Sequence, residues 1–537
     1  MMKLMCQVLI ALFSLNTLAQ EQVSIIPMPN KLMQKEGSFL LNQNTIIVAD
    51  LKIQKLGWYL NNELLKLSKL SLTRFDQSNR PGIYLMIDPP RKSKNSEEAY
   101  TLEVNSDKVI IRSTTENGLF NGITSFLQLV STAKKEKKSF FIPEVSIVDE
   151  PAFAWRGIML DESRHFYGKE KVKSILDWMA FYKLNRFHWH LTDEPAWRLE
   201  IKKYPRLTLV GGIGNNLNPN APAQYYTQED IKEIVSYAAD RFITVIPEVD
   251  MPGHATAANM AYPEYSGGGS KAHPEFTFNP GKEGTYKYLA DIVKETNVLF
   301  PSGLIHLGGD EVSYGNEKWK SDTAINRLKQ QENLPDDKAV ERYFMKRMAD
   351  SVYQMNAKVL VWDEMADAGL PVNETIIFWW RHDQLNQLKT ALNNKYQTVL
   401  CPRLPLYFDF VQDSTHQYGR KWSKLYNPIQ QVYDFDPLKL VENPEQIHQI
   451  LGIQANLWTE TVPTTQRLDY LLFPRIAALA EAAWTNSANK NGDRFMKSVK
   501  SHLPLYKQAG LYYYDPFIPL LHPEPVAERK QPLNYID

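Results

Sequence analysis

The run Trp155-Arg156-Gly157-Ile158-Met159-Leu160, followed by Asp161, has the length and apolar character of a buried β-strand. Seven similar runs follow it along the chain, at residues 185–191, 242–249, 303–308, 357–362, 375–380, 397–401 and 450–456. Most of them are separated by apolar residues at helical spacing, such as Val172, Ile175, Leu176 and Met179. Eight buried strands that alternate with helices predict an α/β fold, a closed (β/α)₈ TIM barrel. An open doubly wound sheet is the alternative, but no glycine-rich phosphate turn follows any of the runs.

The rest of the chain divides around this barrel. Residues 21–150 predict a small α+β domain, with strands at Tyr100–Val104 and Val109–Ser113 joined by a turn and a helix over residues 119–130. The lysine-rich stretch at residues 134–138 predicts a solvated loop. We assign residues 151–514 to the catalytic barrel and the proline-rich residues 515–537 to a C-terminal tail.

The first twenty residues have the zones of a secretory signal peptide. A charged start, Met1-Met2-Lys3, precedes an apolar stretch from Leu4 to Leu15 and then the small residue Ala19. We therefore predict that residues 1–20 are removed and that the protein is secreted or periplasmic. No later apolar run has the length that a membrane span needs. Removal of the peptide leaves Cys401 as the one cysteine, which excludes an intrachain disulfide.

The composition argues against nucleic acid as a partner and favours no other partner strongly. The 61 basic and 61 acidic residues give a net charge of zero, so the chain lacks the basic footprint of a nucleic-acid-binding protein. Aromatic residues make up 12% of the chain, and their flat amphipathic rings suit sugars as ligands. Core packing accounts for such rings equally well.

Polar and aromatic side chains follow the predicted strands at the end where a barrel places its active site. Because buried charges are costly unless they are paired or used, so many of them predict a functional site. In strand order they are Asp161, Arg164, Asp193, Glu248, Asp250, His254, Asp310, Glu311, Trp362, Trp380, Tyr407, Asp409, Trp458 and Glu460.

The most informative segment is His306-Leu307-Gly308-Gly309-Asp310-Glu311. Two glycines between the strand and the acids allow a ligand to approach the backbone closely. Adjacent carboxyls do not fit the usual glycosidase pair, which flanks the scissile bond from opposite sides. A strand-end turn with solvated acids is the alternative for this hexapeptide taken alone.

The hexapeptide resembles the signature of glycoside hydrolase family twenty, the β-N-acetylhexosaminidases. Further blocks resemble the same family in the family's order, and together they cover nearly the whole mature chain. They are residues 155–161, 163–166, 185–193, 247–254, 362–364 and 454–460.

The resemblance implies a substrate-assisted reaction on a glycan with a terminal β-linked N-acetylhexosamine, without a cofactor or a metal. It implies that Glu311 is the general acid and then the base. It also implies that Asp310 orients the acetamido group and that Tyr407 donates a hydrogen bond to the acetamido oxygen. Both N-acetylglucosamine and N-acetylgalactosamine remain candidate sugars.

The resemblance also implies how the sugar is held. The aromatic walls are Trp362, Trp380 and Trp458, the residues that contact sugar hydroxyls are Arg164, Asp409 and Glu460, and the pair that supports the acid is Asp193 and His254. Two departures affect the details. Glu194-Pro195-Ala196 stands where the family often has an aspartate and a Gln-Gly pair, and Trp379 precedes Trp380. We assign the sugar-facing role to Trp380 because Arg381 follows it.

The sequence leaves three other interpretations. A metal-dependent hydrolase would use His188 and His190, which lie on one face of a strand near Asp193, but its remaining ligands are not evident. A non-catalytic carbohydrate-binding barrel would be expected to lack a catalytic group, whereas Asp310 and Glu311 are both present. A relative that releases a disaccharide or a sulfated amino sugar is the nearest rival within the enzymes.

Overall fold

The computed structural model describes residues 23–89, 97–421 and 425–527. The predicted signal peptide at residues 1–20 and the last ten residues of the predicted tail lie outside the described residues. Among the described residues, no helix combines the length and the apolar character that crossing a membrane requires.

The N-terminal part is an eight-stranded mixed sheet that packs against two α-helices, Gln54–Ser68 and Glu116–Ser131. The predicted hairpin is confirmed, because Tyr100–Val104 pairs antiparallel with Lys108–Ser113. From one edge to the other the strands are Lys31–Leu41, Ser139–Asp149, Tyr100–Val104, Lys108–Ser113, Gly82–Ile87, Ile46–Ala49 and Thr73–Phe75, and Lys134–Glu136 also pairs with Ser139–Asp149.

The prediction of a loop over the lysine-rich stretch is wrong. Lys134–Glu136 forms a short strand that pairs antiparallel with Phe141, Phe140 and Ser139. The ammonium groups of Lys134 and Lys135 lie 6.0 and 5.3 Å from the ring centres of these two phenylalanines. Charged lysines on a short outer strand keep its exposed edge from pairing with another chain.

The barrel is closed and parallel, with all eight predicted strands in the predicted order. It closes where the last strand pairs with the first, from Gly452 opposite Trp155 to Leu457 opposite Leu160. The strands are Trp155–Asp161, Arg186–His190, Thr244–Glu248, Leu304–His306, Lys358–Trp362, Thr375–Trp379, Gln397–Leu400 and Ile450–Leu457. We refer to them as the first to the eighth barrel strand.

Most helices of the barrel lie in the connections between its strands, and the others follow the eighth strand. The fifth connection is an exception, because Asp363–Asp367 forms a 3₁₀ helix where the barrel pattern places an α-helix. The α-helices are Lys169–Phe181, Arg206–Leu209, Gln228–Ala239, Thr256–Ala261, Glu283–Leu299, Thr323–Gln331, Asp337–Tyr353, Leu385–Asn393, Arg403–Leu406, Ile429–Asp434, Thr465–Leu472, Arg475–Trp484 and Gly492–Gln508. A small hairpin, Ser266–Gly268 with Thr277–Phe278, lies in the third connection.

Buried ion pairs attach the N-terminal sheet to the amino-terminal end of the barrel. Asp149 lies 3.2 Å from the ammonium group of Lys183, just before the second strand, and accepts a hydrogen bond from Trp484 at 3.0 Å. Arg156, at the start of the first strand, donates to both carboxylate oxygens of Glu98. These contacts are at the end of the barrel opposite the strand ends that carry the predicted site.

Candidate active site

The fourth barrel strand presents the two acids through a backbone that only certain residues adopt easily. Gly308 and Gly309 have φ angles of 68° and 92°. A β-carbon on Gly308 would lie 1.7 Å from a carboxylate oxygen of Asp250, so glycine is required there. Glu311 itself has a φ of 53°, a conformation that is unfavourable for a residue with a side chain.

A cavity of about 780 Å³ opens at the carboxyl ends of the strands and brings together most of the predicted site residues. Asp193 and Asp409 do not line it but contact side chains that do. The predicted residues in its wall are Arg164, His254, Asp310, Glu311, Trp362, Trp380, Tyr407, Trp458 and Glu460. Trp380 lines the cavity, whereas Trp379 is buried in the core.

Asp310 and Glu311 lie on the same side of the cavity, next to one imidazole. The Nε2 atom of His254 is 3.6 Å from a carboxylate oxygen of each. Burial raises the pKa of Asp310 to about 7, an effect that His254 opposes and Glu311 reinforces. Burial would lower the pKa of His254, but Asp193 and Asp310 raise it well above its usual range.

Aromatic rings form another part of the cavity wall. The rings of Trp380 and Tyr407 are nearly parallel, with centres 6.3 Å apart, and Trp458 lies 6.1 Å from Trp362. The indole N–H of Trp362 donates to Glu248 at 2.9 Å, which fixes the orientation of its ring. Together they form an apolar box with the phenol of Tyr407 in its wall.

The loop after the seventh strand supplies Tyr407, and backbone bonds to the eighth strand hold it. Tyr407 forms a β-bridge with Asn456, and the N–H of Phe408 donates to the carbonyl of Asn456 at 2.7 Å. The buried guanidinium of Arg475 donates to the carbonyl oxygens of Phe410 and Asn427 in the same loop. The position of Tyr407 is therefore set by the barrel.

Charged groups form a further part of the site. Arg420 lies 3.3 Å from Asp409 and 3.2 Å from Glu460, so it links the two acids predicted to contact the sugar. Burial raises the pKa of Asp409 to about 7, against the influence of Arg420. Burial would also raise the pKa of Glu460, but Arg164 and Arg420 outweigh burial and lower it.

Several groups of side chains in the described part of the chain have ligand atoms close enough together to hold a metal ion. Within each group these atoms lie within 4.8 Å of one another. The groups are His188 with Glu248 and His306, Asp193 with Glu194 and His254, and Asp250 with His254 and Asp310. The pair proposed for a metallohydrolase, His188 and His190, converges on Glu248.

Two family models match this chain. The model described as glycosyl hydrolase family 20, catalytic domain, matches residues 153–487, and the one described as domain 2 of the same family matches residues 22–150. The chain belongs to glycosyl hydrolase family 20.

Individual members of family 20 are similar over most of this chain. The β-hexosaminidase of Porphyromonas gingivalis is 35% identical over 91% of this chain, which spans 65% of that protein's length. The α subunit of mouse β-hexosaminidase is 32% identical over 75% of this chain and 74% of its own length.

Solved structures of family 20 members share the fold. An exo-β-N-acetylglucosaminidase from Vibrio harveyi, in complex with N-acetylglucosamine, superposes with a TM-score of 0.83 at 29% identity, over 92% of this chain and 79% of its own. The N-acetyl-β-hexosaminidase of Streptomyces plicatus gives a TM-score of 0.80 at 28% identity, over 93% and 97%.

Some residues in the wall of this family 20 site were missed by sequence reasoning. They come from connecting loops, where no strand end marks them, and Arg420 is the most consequential because it pairs with Asp409 and Glu460. The position of Glu194 directly after Asp193 was a usable signal. The others include His273, Phe276 and Tyr314.

The raised pKa of Asp310 makes a prediction about stability. Between pH 3.8 and about 7 the folded state keeps Asp310 protonated while the unfolded state releases the proton, so this carboxyl lowers stability progressively as pH rises. We expect Asp310→Asn to raise the thermal unfolding midpoint at pH 8 by about 2–4 °C, and the gain to disappear near pH 4. Asp413→Asn is the control, because hydrogen bonds from Thr415 outweigh burial and lower the pKa of Asp413. An equal gain in both variants would contradict the prediction.

Proposed function

We propose that the protein is an exo-acting β-N-acetylhexosaminidase that removes terminal, β-linked N-acetylhexosamine from glycans with retention of configuration. The acetamido group of the substrate acts as the nucleophile. The names of the similar proteins support the activity, and the geometry of the acids supports the mechanism.

One observation carries the mechanism: Asp310 and Glu311 both lie 3.6 Å from the same nitrogen of His254. Retaining glycosidases that use their own nucleophile place two carboxyl groups about 5–5.5 Å apart on either side of the scissile bond. Here the two acids are adjacent in the chain and face the same imidazole, an arrangement that favours separate roles for them, and aromatic rings line the same cavity. A substrate acetamido group in the aromatic box would supply the missing nucleophile.

In the first step the acetamido oxygen attacks the anomeric carbon and the bond to the leaving oxygen breaks. Glu311 gives its proton to that oxygen, while the carboxylate of Asp310 accepts a hydrogen bond from the acetamido N–H and stabilises the oxazolinium cation. Tyr407 donates to the acetamido oxygen. In the second step Glu311 takes a proton from water, and the water oxygen attacks the anomeric carbon and opens the oxazolinium ring. The anomeric carbon is inverted in each step, so its configuration is retained overall.

The charged groups of the site support the removal of sugars from the end of a glycan. Arg420 forms ion pairs with Asp409 and Glu460, and Arg164 and Glu460 line the same cavity, so these groups would face the hydroxyl groups of a terminal sugar. Charge-assisted hydrogen bonds suit sugar hydroxyls, so these groups would hold the sugar at the end of a glycan. The pocket therefore fits a chain end.

The decisive test compares an aryl N-acetyl-β-glucosaminide with the matched aryl β-glucoside, which lacks the acetamido group. We expect hydrolysis of the first alone, and an aryl N-acetyl-β-galactosaminide tests the other sugar. Comparable cleavage of the glucoside would refute substrate assistance, and hydrolysis of neither would favour a carbohydrate-binding protein. Because carboxyl groups and the substrate carry out the proposed reaction, a metal chelator should leave the rate of hydrolysis unchanged. Loss of activity in the presence of the chelator would favour the metallohydrolase.

The role of Glu311 predicts a dependence on the leaving group. Glu311→Gln cannot donate a proton, so we expect a loss of about 10²–10⁴-fold in kcat for an alkyl glycoside and a much smaller loss for an activated aryl glycoside. Asp310→Asn is the comparison variant, because it should lose rate on both substrates. Equal losses for Glu311→Gln on the two substrates would exclude it as the acid.

We also propose export to the periplasm or the medium, on the basis of the charged and apolar zones of residues 1–20. N-terminal sequencing of protein recovered outside the cytoplasm should begin close after Ala19. Retention of Met1 in exported protein would refute the cleavage.

A further inference from the structure

A chain of alternating carboxylate and imidazole groups runs from the barrel core to the active site. Glu248 lies 2.7 Å from Nδ1 of His190, whose Nε2 is 2.9 Å from Asp193. The other oxygen of Asp193 is 3.0 Å from Nδ1 of His254. All four side chains are buried, so water does not screen their charges.

His190 has a carboxylate oxygen at each ring nitrogen. A neutral imidazole has one N–H, so one of its nitrogens would place a lone pair against Glu248 or Asp193. The doubly protonated ring satisfies both contacts. Burial would lower the pKa of His190, but Glu248 and Asp193 outweigh burial and raise it well above its usual range. The rings of His190 and Trp458 are nearly perpendicular, with centres 4.9 Å apart.

Cations surround Asp193. Its Oδ2 atom lies 2.9 Å from His190 and 2.7 Å from Arg164, and its Oδ1 atom faces His254. Burial would raise the pKa of Asp193, but Arg164 and His254 lower it well below its usual range. Arg164 is shared, because it also lies 3.4 Å from Asp161.

The last imidazole, His254, connects this chain to the reacting groups. It lies between Asp193 on one side and Asp310 and Glu311 on the other, with Asp250 a further nearby acid. The resemblance to family 20 already accounts for Asp193 and His254. It assigns nothing to Glu248 and His190, which lie one step further from the cavity.

We propose that Glu248 and His190 are positioning residues for the reaction. The imidazolium of His190, held by Glu248, fixes Asp193 against Arg164 and His254 and places a permanent positive charge behind the catalytic carboxyls. This inference rests on the proposed function for its kinetic consequences. The charge state of His190 does not depend on that function.

The strand provides a matched control. His188 and His190 both contact Glu248, at 2.9 and 2.7 Å, but only His190 also contacts Asp193. His188→Gln and His190→Gln therefore each remove an imidazole from the same carboxylate, but burial lowers the pKa of His188 to about 4, so only the second removes a cation. Only His190→Gln interrupts the chain of contacts from Glu248 to Asp193.

Removal of a buried positive charge makes nearby carboxyls easier to protonate. In His190→Gln we expect the acidic limb of the kcat/KM profile to move to higher pH by at least about half a unit. We expect kcat to fall about tenfold with KM changed by less than about threefold, as for loss of a group that orients the catalytic residues. His188→Gln should keep the limb in place. An acidic limb of the kcat/KM profile at the same pH in wild type and His190→Gln would overturn the proposal.

A second measurement does not depend on activity or on the folding of His190→Gln. In protein with ¹⁵N-labelled histidine, the ring nitrogens of His190 should show an imidazolium from pH 5 to 8. The isosteric variant Glu248→Gln retains an acceptor for Trp362 and should convert His190 to the neutral ring within that range. A neutral His190 in wild type, or an unchanged one in Glu248→Gln, would overturn the proposal. If the wild type hydrolyses none of the aryl glycosides, the proposed function fails while this result still decides the charge state.

Discussion

The contacts of the buried Glu248 carboxylate are the interactions on which the rest of the site depends. It is fully buried at the end of the third barrel strand and contacts side chains from the second, fourth and fifth strands: His188, His190, His306 and Trp362. An unpaired carboxylate in such a place would cost several kcal/mol or more. Burial would raise the pKa of Glu248, but the three imidazoles outweigh burial and lower it well below its usual range. One anion therefore aligns four adjacent strands at the height where the cavity floor begins.

The two ends of the barrel use buried charge for different purposes. At the amino-terminal end, Lys183 with Asp149 and Arg156 with Glu98 are complete pairs that attach the N-terminal sheet. At the carboxyl-terminal end, the raised pKa of Asp310 shows that burial is incompletely compensated there. Such a group lowers the stability of the free protein as pH rises, and in the proposed mechanism it would be available to the cationic intermediate. The N-terminal sheet fits the role of a brace for the barrel, since its buried contacts are far from the strand ends that carry the chemistry.

Much of the architecture could be predicted from the sequence, because a parallel barrel strand buried on both faces produces an apolar run such as residues 375–380. The positions of Asp310 and Trp362 followed from the same rule, since residues at or shortly after the carboxyl end of a strand lie at the mouth of the barrel. Arg420 could not be found in this way. It lies in the long connection between the seventh and eighth strands, and its proximity to Asp409 depends on a loop path that no periodicity records. The strand at Lys134–Glu136 was missed for a related reason, because pairing with a neighbouring strand overrode a composition typical of loops.

The orientation of two predicted site residues depends on backbone strain that residue types do not reveal. His254 and Glu311 both have φ angles in the left-handed region, 54° and 53°, and each such residue costs about 1–3 kcal/mol. Their side chains nevertheless meet, with His254 Nε2 3.6 Å from a carboxylate oxygen of Glu311. The surrounding structure holds both loops in place, since the N–H of Met251 donates to the carbonyl of Leu307 and the N–H of Gly309 donates to Asp250. Relaxation of either residue to an ordinary helical or extended conformation would redirect its side chain away from the other. The rigid barrel thus supports a strained pair of loops, and the strain is the structural requirement for placing Glu311 beside His254.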